Sequence, residues 1–222
     1  MNEKKRRYGL GVGLLAAFVL WTALVCMVDV RPIGPEGSVV GFACLNEIIH
    51  RWTGVSMSLY NVTDYLSLVP AAVVFVSALR GLLQWVKRKS LRRVDGSILL
   101  LGGYYIVVMA LYVLFEVVAI NFRPVLINGE LEASYPSSTT MLVMCVMPVG
   151  LLRAKAWIGS LWLKKALTGI VVGFVAFMVL CRLLSGVHWF SDIVGGALLS
   201  AGLVMIYNAA SYDMLRKETE KE

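Results

Sequence analysis

Charged residues and histidines are scarce in this sequence of 222 residues. Asp, Glu, Lys and Arg together make up only 16% of it, which is too little for an ordinary soluble domain of this length. Because there are only two histidines, a histidine-rich metal centre is not expected. The four cysteines form no Cys-x-x-Cys pair, so the sequence predicts neither a disulfide framework nor a metal site.

Apolar residues dominate instead, and their arrangement predicts an all-α integral membrane protein. They make up 59% of the sequence, and the mean hydropathy is +0.76. A bilayer is crossed by about 20 helical residues, and six apolar runs approach or exceed that length. A segment of mixed polarity near residues 39–52 fits a helix that lies at the outer membrane surface. The predicted spans are residues 8–28, 62–86, 97–122, 136–152, 166–180 and 193–207.

The distribution of positive charge predicts the orientation of the spans. With six spans, 16 of the 21 Lys and Arg residues fall on one side of the membrane, which is the pattern of cytoplasmic segments. The same distribution argues against nucleic acid as a partner, although the net charge is +7. We therefore expect one membrane domain over residues 1–222 with both termini in the cytoplasm. The loops 29–60, 123–136 and 182–191 then share the outer face.

The stretch from Cys181 to Asp192 concentrates polar residues between the fifth and sixth spans. His188 and Asp192 are four residues apart, so on a helix they lie one turn from each other on one face. A carboxylate there can hold one imidazole nitrogen and leave the other free to attack or to shuttle a proton. Arg182, just upstream, can grip a phosphate through two parallel hydrogen bonds. A charge cluster that snorkels to water is the alternative, but polar residues at membrane depth are usually functional.

This stretch resembles the third signature of the type 2 phosphatidic acid phosphatase superfamily, S-R-x-x-x-x-x-H-x-x-x-D. Only the first position differs, where Cys181 stands in place of Ser. In that family the His is the phosphorylated nucleophile, the Asp orients it and the Arg binds phosphate. The resemblance therefore implies these roles for His188, Asp192 and Arg182, with no metal and no other cofactor.

Two further signatures of the same family are present in altered form and in the right order. The first, K-x-x-x-x-x-x-R-P, keeps its Arg-Pro pair at Arg123 but has Glu116 in place of Lys. The second, P-S-G-H, corresponds to residues 136–139, which keep Pro-Ser but have Thr139 in place of His. Together the three signatures imply a phosphatase-like bundle over about residues 60–210.

The second signature also has a physical interpretation. Ser137 is well placed as the N-cap of the fourth span, so Ser138 and Thr139 follow in the first helical turn. The backbone N–H groups there point at whatever lies above the helix, so an anion can bind without the His. We expect these three residues to bind phosphate together with Arg123 and Arg182, and plain helix capping is the alternative.

Two residues have several candidate roles. Glu116 lies seven residues before Arg123, which on one helix places both on the same face. It can pair with Arg123 or Arg182, or it can receive an amine of a substrate headgroup. His50, in the outer segment, has two candidate roles. It is an interfacial side chain, or it protonates the leaving group, which Thr139 cannot do. Water is the other candidate source of that proton.

The replacement of the second-signature His favours a substrate with a good leaving group. A departing phosphate monoester has a second pKa of about 6 and needs little protonation. An alkoxide does need a proton, because the pKa of its alcohol is close to that of water, roughly 15.7. We therefore expect hydrolysis of a lipid phosphate or diphosphate at the outer membrane face through a phosphohistidine. The resemblance makes undecaprenyl diphosphate and phosphatidylglycerol phosphate typical substrates. The alternatives are a lipid phosphotransferase and a non-catalytic lipid-binding or transport protein that keeps the fold.

Overall fold

The computed structural model describes residues 3–219, with side chains up to Met214. In that part, the chain is built from α-helices, two short 3₁₀ turns and connecting loops. The α-helices are α1 (Glu3–Met27), α2 (Ala43–Thr53), α3 (Met57–Leu66), α4 (Leu68–Arg88), α5 (Gly96–Val117), α6 (Ser138–Trp157), α7 (Leu161–Leu184) and α8 (Phe190–Thr219).

Six segments of the described chain are long and apolar enough to cross a membrane, which confirms the predicted number of spans. The second of them, Met57–Arg88, is a pair of helices, α3 and α4, that meet at Ser67. The amphipathic helix α2 precedes this pair and matches the predicted surface helix near residues 39–52, although it begins at Ala43. The protein is an all-α, multi-pass membrane protein.

The third span is shorter than the sequence predicted. Its helix, α5, ends at Val117, whereas the predicted span continues to residue 122. The chain leaves the helix because the loop that follows folds back as a hairpin, in which the N–H of Arg123 donates to the carbonyl of Glu132 at 3.0 Å. The prediction that Glu116 and Arg123 share one helical face is therefore wrong.

The last three helical spans are longer than their apolar runs. Helix α6 continues to Trp157, α7 already begins at Leu161, and α8 continues to Thr219. The apolar runs end at basic residues, but Lys and Arg are good helix formers whose charged ends can reach water while their stems stay buried. Arg153 is held differently: it is buried on α6, and its guanidinium donates to Oγ of Ser97 at 3.1 Å.

Helix α8 lies at the centre of the bundle, with α1 and α6 packed along it. Small residues allow the close approach of α1: a side chain at Gly202 would lie 2.8 Å from Leu15, and one at Gly11 would lie 2.8 Å from Ile206. Tertiary contacts between α1, α5, α6 and α8 form the apolar core. Its buried members include Phe18, Leu101, Tyr104, Met141, Cys145, Val149, Leu199 and Tyr207.

The two ends of the described chain lie on the same side of the bundle. Nζ of Lys4 lies 2.5 Å from Oδ2 of Asp213, and Arg7 donates to Oδ1 of Asn208 at 2.7 Å. An even number of spans requires this arrangement. The basic residues that the orientation argument places in the C-terminal tail, at positions 216–221, lie outside the described side chains.

Candidate active site

The loop between α7 and α8, residues 185–189, carries His188. It turns at Gly186, whose φ is +65°. A Cβ atom at this position would lie 1.8 Å from the carbonyl oxygen of Gly54, in the segment that follows α2. Both the backbone conformation and the close approach require glycine. The turn that presents His188 is therefore fixed by contact with the segment that follows α2.

Two hydrogen bonds also tie this loop to α2 and to the segment that follows it. The N–H of Ser56 donates to the carbonyl of Ser185 at 2.9 Å, and Nε2 of His50 lies 3.0 Å from the carbonyl oxygen of Gly186, to which it donates. The His50 ring also packs against Trp189, with centroids 5.4 Å apart. His50 thus supports the loop, and it does not line the cavity at the site.

His188 is almost completely buried and has three polar neighbours. Its Nδ1 lies 3.1 Å from the carbonyl oxygen of Ser134 and 3.7 Å from Oδ2 of Asp192, while its Nε2 lies 3.5 Å from a terminal nitrogen of Arg123. A carbonyl oxygen can only accept a hydrogen bond, so the proton belongs on Nδ1 and Nε2 has a free lone pair. The nitrogen available for attack is therefore the one that faces Arg123.

The surroundings of His188 keep its imidazole neutral. Burial lowers its pKa well below the ordinary value of 6.5, and the guanidinium groups of Arg123 and Arg182 lower that pKa further. Burial acts in this direction because it disfavours the charged form, and the positive neighbours act in the same direction by repulsion. At neutral pH the side chain therefore retains the lone pair that a nucleophile needs.

Asp192 is fully buried in the first turn of α8. Its Oδ2 accepts the backbone N–H of Trp189 at 2.9 Å, and its Oδ1 accepts a hydrogen bond from the amide of Asn121 at 3.1 Å. The first bond is one half of a capping box, in which an acidic residue of the first turn satisfies the N-cap N–H. Helix α8 therefore begins at Phe190, and His188 lies in the loop before it rather than on the same helical face.

Tyr60 brings together the two arginines predicted to bind phosphate. The guanidinium carbon of Arg182 lies 4.6 Å from the centroid of the Tyr60 ring, and that of Arg123 lies 5.8 Å from it. Arg182 also donates to Oγ1 of Thr63 at 3.1 Å. Arg123 forms an ion pair in which its Nε lies 3.0 Å from Oε2 of Glu132. Two cations from distant parts of the sequence thus converge on one aromatic ring.

A cavity of about 420 Å³ opens beside these two arginines. Both arginines line it, as do Ser138 and Thr139 in the first turn of α6, whose N–H groups have no partner within the helix. Ser137 is at the N-cap position, but its side chain makes no capping hydrogen bond. It is fully buried instead, and its N–H donates to the carbonyl of Asp192 at 3.1 Å. The predicted capping by the Ser137 side chain is therefore not observed, because the segment packs against α8.

Glu116 lines a different pocket from the two arginines. Together with Ser138 it lines a separate pocket of about 10 Å³, which has room for about one water molecule. An ion pair with Arg123 or Arg182, one of the candidate roles of Glu116, is not seen among the described residues. The carboxylate beside Arg123 is that of Glu132, which the hairpin after α5 brings to this position.

The residues that support the site were not predicted from the sequence. Tyr60 and Thr63 position an arginine, while Asn121 and Ser134 hold the aspartate and the histidine. Ser134 acts through its backbone carbonyl, a group that every residue carries. The sequence does contain a signal for Asn121. Its side-chain amide lies at the end of an apolar run, and an amide that is buried there needs a hydrogen-bond partner.

A second layer of polar side chains joins the surface helix α2 to the start of α8. Asn46 donates to Oγ of Ser191 at 2.9 Å, and its own amide oxygen accepts the backbone N–H of that residue at 3.1 Å. The amide oxygen of Asn121 accepts the N–H of Gly41 at 3.2 Å. These bonds hold α2 and the residues just before it against the loops that carry the site.

Candidate metal ligands are scattered over the described part of the molecule. Over residues 3–219, no group of three or more His, Cys, Asp or Glu side chains is placed to hold one metal ion. Two acidic side chains near the site already contact other groups: Asp192 accepts hydrogen bonds, and Glu132 forms an ion pair with Arg123.

Comparisons with known proteins give a family match and a structural likeness. The sequence model of a family described as the PAP2 superfamily matches residues 97–215. Among solved structures, the chain is similar to that of "the first transmembrane PAP2 type phosphatidylglycerolphosphate phosphatase from Bacillus subtilis". The TM-score is 0.59 at 20% sequence identity, over 92% of this chain and 96% of that chain, which shows a shared fold. No curated protein sequence matches the chain.

Proposed function

The chain belongs to the PAP2 superfamily, and on that premise we propose that it hydrolyses lipid phosphates through a phosphohistidine at His188, with lipid diphosphates as its better substrates. The observation that carries the proposal is the position of His188. Its neutral imidazole has a free Nε2 lone pair 3.5 Å from a terminal nitrogen of Arg123, and Arg123 lines a cavity together with Arg182. This combination supplies a nucleophile and a site for the phosphate that it attacks.

In this proposal the substrate phosphate lies between the two guanidinium groups and the first turn of α6. The N-terminus of a helix favours an anion, and the hydroxyl groups of Ser138 and Thr139 add hydrogen-bond donors. The phosphorus atom must reach Nε2 of His188, which at present faces a terminal nitrogen of Arg123. Arg123 therefore shifts with the phosphate as it binds, while Arg182 stays fixed by Thr63 and Tyr60.

The proposed reaction has two steps. In the first, the lone pair of Nε2 attacks phosphorus, the bond to the bridging oxygen breaks, and the leaving group departs with that electron pair. The phosphorylated imidazole keeps its Nδ1 proton, and the Ser134 carbonyl and the Asp192 carboxylate stabilise its positive charge. In the second step, water attacks phosphorus, inorganic phosphate leaves with both protons of the water, and His188 returns to its neutral form.

The leaving group decides which lipid suits this site. Thr139 lies on the cavity wall where the family signature has a His, and a hydroxyl is a poor acid near neutral pH. A phosphate monoester with a second pKa of about 6 leaves without protonation. An alkoxide needs a proton, because the pKa of its alcohol is close to that of water, roughly 15.7. A lipid diphosphate such as undecaprenyl diphosphate is therefore the favoured substrate class, and a monoester such as phosphatidylglycerol phosphate is the slower one.

We place this site at the outer membrane face. The loops on the side of His188 contain few Lys and Arg residues, whereas the opposite end of the bundle has the basic connections at 87–93 and 153–165. Basic segments of this kind remain in the cytoplasm. The substrate phosphate then approaches from the extracytoplasmic side.

The experiment that tests the proposal is phosphate release by the purified protein in detergent. Undecaprenyl diphosphate and phosphatidylglycerol phosphate are compared, and we expect faster release from the diphosphate. With a substrate whose terminal phosphate is labelled with ³²P, brief reaction and quenching in base should leave label on the protein. His188→Ala should abolish both the release and the protein label.

A matched control is His50→Gln, which removes the other histidine and leaves an amide that can donate to the Gly186 carbonyl. We expect this variant to keep the protein label. Full turnover in His188→Ala would exclude the phosphohistidine mechanism. Transfer of the label to an added lipid or sugar would instead identify a phosphotransferase, and binding of lipid phosphates without any release would identify a lipid-binding protein.

A further inference from the structure

Trp157, at the C-terminal end of α6, lies beside arginines from two helices. The guanidinium carbon of Arg80, on α4, is 4.2 Å from the centroid of the Trp157 ring, and that of Arg153 is 5.6 Å from it. Thr139 at the active site is eighteen residues away along α6, a distance of about 27 Å. The cluster of two arginines and one tryptophan therefore lies at the opposite membrane surface.

The same three residues lie at one end of an apolar groove between α4, α5, α6 and α7. The groove has a volume of about 600 Å³ and is lined by side chains of α4 from Val69 to Arg80 and of α6 from Met147 to Trp157. The eleven helical steps from Val69 to Arg80 correspond to about 16 Å, which is half of the roughly 30 Å hydrocarbon core of a bilayer. The groove is therefore as deep as one leaflet.

Lipid can reach this groove from the side. Val76 on its wall is 50% exposed, and Trp157 is 48% exposed. Small residues such as Ala72 and Gly150 leave the space open, and Gly150 also lets α4 approach α6, since a Cβ atom there would lie 3.0 Å from Val73. The walls are apolar apart from Ser77 and the two arginines, so the groove suits a hydrocarbon chain below a charged group.

Two arginines bring positive charge to this end of the groove. Arg80 is exposed, and the buried Arg153 adds a second guanidinium from α6. Asp95 lies close enough for Arg153 to help lower the pKa of its carboxyl, but the main cause of that lowered pKa is Arg88, which lies 2.6 Å away. The acid is thus already paired with a third arginine, and the exposed guanidinium of Arg80 attracts anions at this end of the groove.

We propose that this groove binds one anionic phospholipid from the leaflet opposite to the active site. The lipid phosphodiester contacts the exposed Arg80, since guanidinium groups are well suited to phosphate oxygens. An acyl chain fills the apolar part towards Val69, and Trp157 lies at the level of the headgroup. Basic pockets between transmembrane helices recognise anionic headgroups in this way. The proposal does not depend on the reaction at His188.

Native mass spectrometry of the delipidated protein tests the proposal. The protein is mixed in detergent with equal amounts of dioleoyl phosphatidylglycerol and dioleoyl phosphatidylcholine, which share their acyl chains and differ in net charge. We expect the wild type to retain one phosphatidylglycerol in preference to phosphatidylcholine. Arg80→Gln should lower the retained phosphatidylglycerol about fivefold, the effect of losing one surface cation. Ala72→Trp, which fills the groove, should lower it as well.

Two control variants locate the binding. Arg92→Gln removes an exposed charge from the same membrane surface without touching the groove, and it should leave the lipid retention unchanged. Arg182→Gln removes a cation from the active-site cavity, and a variant that elutes as a single species should also retain phosphatidylglycerol. Equal retention of the two lipids by the wild type would overturn the proposal. A loss in either control as large as that in Arg80→Gln would also overturn it.

Discussion

Nδ1 of His188 lies 3.1 Å from the backbone carbonyl oxygen of Ser134, closer than its 3.7 Å distance from the carboxylate of Asp192. The carbonyl therefore decides which imidazole nitrogen has the proton. The carboxylate of Asp192 also accepts hydrogen bonds from the N–H of Trp189 and from the side-chain amide of Asn121. The hairpin that contains Ser134 thus helps to orient the nucleophile, together with the start of α8.

The first prediction concerns the charge of His188. Burial and the nearby Arg123 and Arg182 lower the pKa of its imidazole well below 6.5, so the side chain should remain neutral as the pH falls through 6.5. The unfolded chain takes up this proton near pH 6.5, so the site should reduce the free energy of unfolding as the pH falls below that value. Arg123→Gln removes one positive neighbour and should raise the pKa of His188 towards 6.5. NMR titration of histidine-labelled protein in detergent measures both values.

The chain is favourable for this titration because it has only two histidines. The spectrum of His50→Gln assigns the remaining ring signals to His188. Arg92→Gln is the matched control, since it removes a charge at the opposite membrane surface and should leave the pKa of His188 unchanged. A wild-type His188 that titrates at or above pH 6.5 would contradict the neutral nucleophile.

Gly186 should tolerate no side chain. Its φ of +65° costs other residues about 1–2 kcal/mol, and a Cβ atom would in addition overlap the carbonyl oxygen of Gly54. We expect Gly186→Ala to lower the apparent Tm in detergent by at least about 5 °C and to reduce activity sharply. Gly173→Ala, at an uncrowded position within α7, is the control and should change neither. Similar Tm values for the two variants would show that the loop can adopt another turn.

The contact between Thr63 and Arg182 gives a prediction about phosphate binding. Thr63→Val keeps the shape of the side chain but removes the oxygen that accepts from the Arg182 guanidinium. A buried donor left without its partner costs about 1–3 kcal/mol, so we expect kcat/KM for lipid diphosphates to fall about tenfold. Thr63→Ser restores the hydroxyl and should recover most of that loss. If the Ser variant were as slow as the Val variant, the hydroxyl would not be the group that matters.

The number of spans could be predicted from the sequence, but not where they end. A bilayer imposes a length and an apolar composition on each span, and both can be read from one segment alone. The ends depend on contacts between segments. Helix α5 stops at Val117 although apolar residues follow, because the next loop pairs with itself through Arg123 and Glu132. Helix α6 passes Arg153 because Ser97 on another helix accepts its hydrogen bond.

The residues of the candidate site also divide into those that a local sequence pattern predicts and those that depend on contacts between segments. His188, Asp192 and Arg182 fall within one short stretch, so their spacing alone points to one chemistry. Thr63, which holds Arg182, is 119 residues away in sequence. No local pattern encodes a contact between α3 and α7, and the signature of a family does not contain it. Supporting residues of this kind are defined only by the packing of the helices.

The orientation in the membrane is the next prediction. Lys89 follows α4 at the basic end of the bundle, and Asn128 is at the exposed tip of the hairpin after α5. Single cysteines at these positions, in a background without the native cysteines, should label from opposite sides with an impermeant reagent. We expect Asn128→Cys to label in intact cells and Lys89→Cys only after lysis. Labelling of Lys89→Cys from outside would reverse the proposed orientation.

The last prediction concerns Thr139, where the chain departs from the family signature. Without an acid beside the leaving group, the wild type should be fast on lipid diphosphates and slow on monoesters of simple alcohols. Thr139 lines the cavity with both arginines, so an imidazole at this position can reach the oxygen that departs. We expect Thr139→His to raise the rate on phosphatidylglycerol phosphate by up to about 10², with a smaller gain on undecaprenyl diphosphate, because only the alkoxide needs the proton.

A histidine elsewhere in the same cavity provides the control for this variant. Ser67 lines the cavity from the junction of α3 and α4, so Ser67→His adds an imidazole without placing it at the first turn of α6. It should leave the ratio of monoester to diphosphate rates unchanged. If the wild type hydrolysed both substrates equally fast and Thr139→His did not alter the ratio, another group would supply the proton. Asp64, a carboxylic acid on the same cavity wall, would then be the first residue to replace.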